Sequence, residues 1–134
     1  MGANLFRAIL DGTNLKSASL KGADLRETKL WFVNMSGIDL QGANLWFVNL
    51  SWTDLAKARM NGATLIGADL RGANLRGADL TGADLREADL CGADLRGANL
   101  KDITLHQTRY DITTQWPLNF PVSKKPGLIQ KDRH

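Results

Sequence analysis

The chain has 134 residues, 43% of them hydrophobic and 23% charged, which is the size and content of one domain with a core. One cysteine excludes an internal disulfide, and no run nears the 18 or so apolar residues of a membrane span. A formal charge of +3, with cations spread along the chain and many of them near an acid, lacks the one-sided basic face of a dedicated nucleic-acid binder.

The chain opens "MGANLF", already inside a five-residue register, with no basic-then-apolar leader, so the reading is a soluble, cytoplasmic protein. Leucine stands at every position divisible by five from Leu5 to Leu105, except at Met35 and Met60, and Tyr110 closes the series. Two places before each stands a small or β-branched residue, mostly Ala, with Thr at 13, 28, 53 and 108. On an α-helix, a five-residue step turns each leucine by about 140° from the last, so no apolar stripe forms. On a continuous strand, an odd period sends successive leucines to opposite faces. The chain must therefore turn once per repeat, with each leucine aimed at a common axis, which describes one side of a solenoid. Nothing in the sequence covers the open edge of the first coil. Either it packs on another molecule, or its turn-rich path presents too few aligned groups to matter.

The segments "ADLRG", "ANLRG", "ADLTG" and "ADLCG", residues 68–82 and 88–92, resemble the pentapeptide-repeat family, whose motif is A(D/N)LXX. The resemblance implies an all-β fold: a right-handed quadrilateral β-helix with four repeats per coil. Over residues 1–110 that makes about 5.5 coils and, at about 4.8 Å per coil, a rod of about 26 Å. Residues 111–134 are expected to form a C-terminal capping segment and a flexible tail.

"LWFVN" occurs at residues 30–34 and 45–49, and "LSWTDL" follows at 50–55. Trp31, Phe32, Trp46, Phe47 and Trp52 take the two outward places where most repeats carry Arg and Gly. With a twenty-residue coil, Phe32 and Trp52 are expected to stack in one column. Trp46 and Ile66 form another, continuing Phe6 and Arg26. All flank the face whose repeats centre on Leu30 and Leu50. Two readings stand: an aromatic ladder that only stabilises the corner, or an apolar patch kept for a partner, which could equally be a second copy.

Further on, Asp69 should lie beside Asp89 and Arg76 beside Arg96, an arrangement that reads as a solvated surface laced with ion pairs. Cys91 and His106 are the obvious nucleophilic candidates, but both directly follow a leucine, fifteen residues apart, with no third group to orient them. His134 lies in the tail, and no Cys/His spacing suits a metal. No catalytic residue, cofactor, metal or small-molecule substrate is expected.

Some proteins of the resembled family bind DNA gyrase and related topoisomerases by imitating DNA, and a charge count tests that alternative. Residues 1–110 carry 13 Lys or Arg and 12 Asp or Glu. Duplex DNA carries one negative charge per 1.7 Å or so, so a mimic of this length needs about −15. Charge disfavours the gyrase-inhibitor reading.

After Tyr110 the repeat is expected to stop. Trp116 and Phe120 stand among Pro117, Pro121 and Pro126, which cannot extend a ladder, and are expected to seal the last coil. "SKKPGLIQKDRH" reads as polar and frayed, with Lys124, Lys125, Lys131 and Arg133 as the one basic cluster. A Thr-Gln-Trp-Pro closing segment like that at 114–117 is similar to one in cyanobacterial members of the family. The reading is a non-enzymatic protein–protein interaction or scaffolding module. Its wagered face is Trp31, Phe32, Trp46, Phe47, Trp52 and Ile66, with no specific nucleic acid and no membrane among its partners.

Overall fold

The computed structural model describes residues 2–131. From Asn4 onward each five-residue unit is built alike: one residue bridging to the neighbouring coil, an inward leucine, then a two-residue turn. Bridges are parallel and twenty residues apart, as in Asn4 with Asp24, Asp24 with Asn44 and Asp69 with Asp89. Four repeats therefore complete one coil.

Three backbone bonds tie each side to its neighbours. At Asp24–Glu27 the Leu25 N–H donates to the Asn44 carbonyl (2.8 Å) and the Glu27 N–H to the Trp46 carbonyl (2.9 Å), while the Asp24 N–H donates back to the Ala3 carbonyl (2.8 Å). The corner closes when the Thr28 N–H donates to the Leu25 carbonyl (3.1 Å). That turn needs positive φ at its third residue, which explains the glycine there in about half of the repeats.

Leucine and the small residue two places before it both point inward, so the core is a stack of thin apolar layers. Leu25 through Leu85 and the two methionines within that run are fully buried. Leu5, Leu10, Leu15 and Leu20 are only half-buried at the open first coil. At three of the places where Thr replaces Ala, its hydroxyl donates to the coil below: Thr28 to the Leu5 carbonyl (3.0 Å), Thr53 to Leu30 (2.9 Å), Thr108 to Leu85 (2.7 Å). Stability in such a stack comes from contacts between neighbouring coils.

The C-terminal end departs from the sequence reading in two ways. The repeat does not stop at Tyr110. Residues 111–116 form one further side with one residue added, so Asp94 bridges to Gln115 rather than to residue 114. Asp111 makes the insertion tolerable: its Oδ1 accepts the N–H groups of Thr113 (2.9 Å), Thr114 (3.2 Å) and Gly92 (3.2 Å). Trp116 then takes the leucine place, packing on the core together with Phe120. The Trp116 and Phe120 rings stack at 5.0 Å, and Tyr110 meets Trp116 edge-on at 5.6 Å.

The second departure is the tail, which is not frayed through its length. Strand β2, Leu128–Gln130, pairs in parallel with strand β1, Thr108–Tyr110, in a register again twenty residues apart. A 3-10 turn at Val122–Lys124 brings the chain back, and Gly127 lies so close to the Leu105 carbonyl that no Cβ fits there. Two apolar residues, Leu128 and Leu105, are covered as a result, an energetic reason for the segment to order. Arg133 and His134 lie outside the described residues.

Candidate functional site

The Asp and Asn residues at the bridging positions serve the turns. Asp24, Asp69, Asp84 and Asp94 each accept the N–H of the residue two places on at 3.1 Å. Where that residue is Arg, its guanidinium also grips the same carboxylate, with Nη2 to Oδ2 at 2.7 or 2.8 Å. This Arg contact is the main influence on Asp24 and Asp94 and holds their carboxyls below the usual range. Arg59 lies between Asp39 and Asp79 in one column, 3.7 Å from the former. The like-charge stacking of Asp69 on Asp89 is thus offset by neighbouring arginines, and the surface is an ion-pair lattice.

Cys91 and His106 form no nucleophilic arrangement. The Cys91 thiol is half-buried, and burial, the Asp89 hydrogen bond and the charges of Asp89 and Asp111 push it up to about 12. A thiol so held is a poor nucleophile at neutral pH. Among the described residues, no group of three His, Cys, Asp or Glu side chains could hold a metal ion. No helix among them is long and apolar enough to cross a membrane.

One face differs. Its bridging column runs Ile9, Lys29, Asn49, Asp69, Asp89, Arg109 and Ile129. The corner entering it carries Trp46 and Phe47; the corner leaving it carries Trp31, Phe32 and Trp52. All five rings are substantially exposed, from 42% at Trp46 to 62% at Phe32, whereas Ile66 is half-buried.

Phe32, Phe47 and Trp52 sit at the left-handed turn position, with φ of 60°, 53° and 57°, where a Cβ is disfavoured. The rings do not form the column ladder read from the sequence. Trp31 pairs edge-on with Phe32 at 4.9 Å and Trp46 with Phe47 at 6.1 Å, both within a corner. Phe47 and Trp52 instead lie over Gly67 and Gly72, each twenty residues on, in the space a Cβ there would need. The twenty-residue rule held the signal for this pairing, since a glycine follows each ring by one coil. The lower column runs as read, with Phe6 between Arg7 (4.9 Å) and Arg26 (5.0 Å).

Between the rings the surface is concave. A shallow cleft of about 550 Å³ is lined by Lys29, Trp31, Asn49, Trp52 and Arg71 among others. A smaller one of about 230 Å³ lies at the entering corner beside Trp46, Ile66, Arg86, Glu87 and His106. Both are open and combine apolar walls with charged rims, geometry suited to protruding side chains of a macromolecule rather than to enclosing a small molecule.

The pentapeptide-repeat family, described as pentapeptide repeats, matches residues 1–31, 34–72 and 73–109 in 8 copies. No curated protein matches the chain. Among solved structures it is similar to alr5209, a pentapeptide repeat protein from Nostoc PCC 7120, at 36% identity and a TM-score of 0.59, over 97% of this chain and 86% of that one. It is also similar to Rfr23, a pentapeptide repeat protein from the cyanobacterium Cyanothece 51142, at 35% identity and a TM-score of 0.43, over 86% and 88%. QnrB1, a plasmid-mediated fluoroquinolone resistance protein, shares the fold at 15% identity and a TM-score of 0.57, over 98% and 90%. With its register unbroken through these matched segments, the chain belongs to the pentapeptide-repeat family.

Proposed function

We propose that the chain is a non-enzymatic binding module: a right-handed quadrilateral β-helix of about 5.5 coils that presents its aromatic face to another protein. The right-handed sense is supported by the strong preference of parallel-strand crossovers for that hand. The observation that carries the function is the exposure of five large aromatic rings around one face, three of them on disfavoured left-handed backbone. Strained positions kept by bulky residues point to use, and exposed Trp and Phe in a cluster match the composition of binding hot spots. The near-neutral ion-pair lattice argues against DNA mimicry, because each carboxylate gripped by an arginine is cancelled where a phosphate would need to be imitated.

The test compares the wild type with the variant Trp31→Ser/Trp46→Ser/Phe47→Ser as immobilised baits. None of the three side chains points inward, so the β-type circular dichroism is expected to survive. Proteins captured by the wild type and lost by the folded variant support the reading. Identical captures by both would remove it.

A further inference from the structure

Resting on that reading, we infer that the occupant of the aromatic face is a second copy of this chain, seated antiparallel about a two-fold axis at the level of Phe47 and Asn49. The order of charges up the face favours this pairing. Bridges twenty residues apart stack the coils in fixed levels, so the side chains at each level are known. The side facing outward between the two aromatic corners carries Arg7 and Asp11 at the first level and Glu27, Lys29 and Trp31 at the second, with Arg7 3.4 Å from Glu27. Phe47 and Asn49 occupy the third, Asp69 and Arg71 the fourth, and Glu87 and Asp89 the fifth.

A two-fold axis through the third level sets the first level against the fifth and the second against the fourth. Arg7 then meets Glu87 of the second copy, Lys29 meets Asp69, and the Trp31 ring meets the Arg71 guanidinium, each contact made twice because the interface is isologous. Phe47 and Asn49 meet their own counterparts at the centre. No like charges are opposed anywhere in this register. Lys29 and Glu87 form no ion pair within the chain among the described residues, and both are exposed.

The alternatives fare worse. A parallel two-fold sets Lys29 on Lys29, Asp69 on Asp69 and Asp89 on Asp89. Moving the antiparallel axis half a level up opposes Arg26 with Arg86 and Glu27 with Glu87. Half a level down opposes no like charges and sets Asp11 against Arg71, but it leaves Lys29 against Asn49 and Arg7 against Gly67, so one matched pair replaces two. Of the antiparallel registers, the one through the third level matches the most opposite charges, and that self-complementarity is what an isologous contact needs.

The experiment is sedimentation equilibrium on the full chain, on Arg7→Glu, on Glu87→Arg and on the double variant carrying both. Neither position is buried or points inward, so all four chains are expected to fold, with circular dichroism as the check. The wild type should have twice the 14.7 kDa chain mass. Each single variant should weaken the dimer by at least about tenfold, since like charges then face each other twice. The double variant should restore it, because the two exchanged side chains again oppose each other with opposite charge.

A wild type that stays at 14.7 kDa at its highest soluble concentration overturns self-pairing and leaves the bait comparison above to decide whether the face serves a foreign protein. A dimer indifferent to the charge changes also overturns it, by placing the contact elsewhere on the rod.

Discussion

Replacing Gly72 by Ala should cost far more than replacing Gly82 by Ala, although both glycines occupy the same turn position with the same φ of +67°. At Gly82 a new Cβ meets open space, so only the left-handed backbone penalty applies, about 1 kcal/mol. At Gly72 the Cβ would stand 2.5 Å from Cε3 of Trp52, and the ring must leave. Trp52 is 60% exposed, so roughly 100 Å² of its surface is covered, and at about 25 cal/mol per Å² the contact is worth at most about 2.5 kcal/mol. Part of that survives wherever the ring lands, so the total for Gly72→Ala should be about 2–3 kcal/mol. Urea denaturation of both glycine variants, alone and in a Trp52→Ala background, forms a double-mutant cycle. In that background Gly72→Ala should fall to the cost of Gly82→Ala. Equal costs for the two glycine variants in the wild-type background would refute the packing of Trp52 on the next coil.

Two further outcomes follow from the electrostatics. The Asp111 carboxyl is held below the ordinary value of 3.8, first by the Thr113 hydroxyl against some desolvation, then by the N–H groups of Thr113, Gly92 and Thr114. A lowered folded-state pKa gives stability that is full above 3.8 and lost as pH falls through the folded value. Thermal melts from about pH 5 to about pH 2 should therefore show a smaller acid loss in Asp111→Asn than in the wild type, and parallel curves would count against the cap. Cys91, with its thiol pushed up to about 12, should react with iodoacetamide at about pH 8 at least a hundredfold more slowly than in the urea-unfolded chain. Similar rates in both states would mean that the thiol is not held as described.

Much of the fold was legible because the chain repeats one local decision. The five-residue period alone excludes helix and flat strand, and twenty-residue arithmetic correctly placed Asp69 beside Asp89 and Phe6 beside Arg26. The aromatic face was legible as a set of positions, but not in how its rings settle. A column index fixes where a Cβ stands and says nothing of χ angles, and glycines one coil on gave Phe47 and Trp52 somewhere to lie. The C-terminal end was misread for a different reason. Asp111 adds one residue and breaks the period, so a pattern search ends there, while the backbone continues because a carboxylate satisfies the displaced N–H groups. The pairing of Leu128–Gln130 with Thr108–Tyr110 spans an irregular, proline-rich stretch that carries no periodic signal.

The separation of inward from outward positions makes the rod an addressable grid. Within a repeat, the leucine and its small companion hold the stack together, and the two turn residues contribute little to the core. A pair such as Trp31–Phe32 is therefore specified by an address, a corner and a level, independently of its surroundings inside. Rewriting residues 91 and 92 as Trp-Phe and residues 31 and 32 as Arg-Gly would move that pair three levels up the same corner, about 14 Å, without touching the interior. A Cβ at residue 92 meets only ordinary contacts, so that address has room for a side chain at the cost of the left-handed backbone alone. A lineage built on such a grid can relocate or duplicate a contact surface by editing two residues at a time, and can lengthen the rod by whole coils while every existing address is preserved.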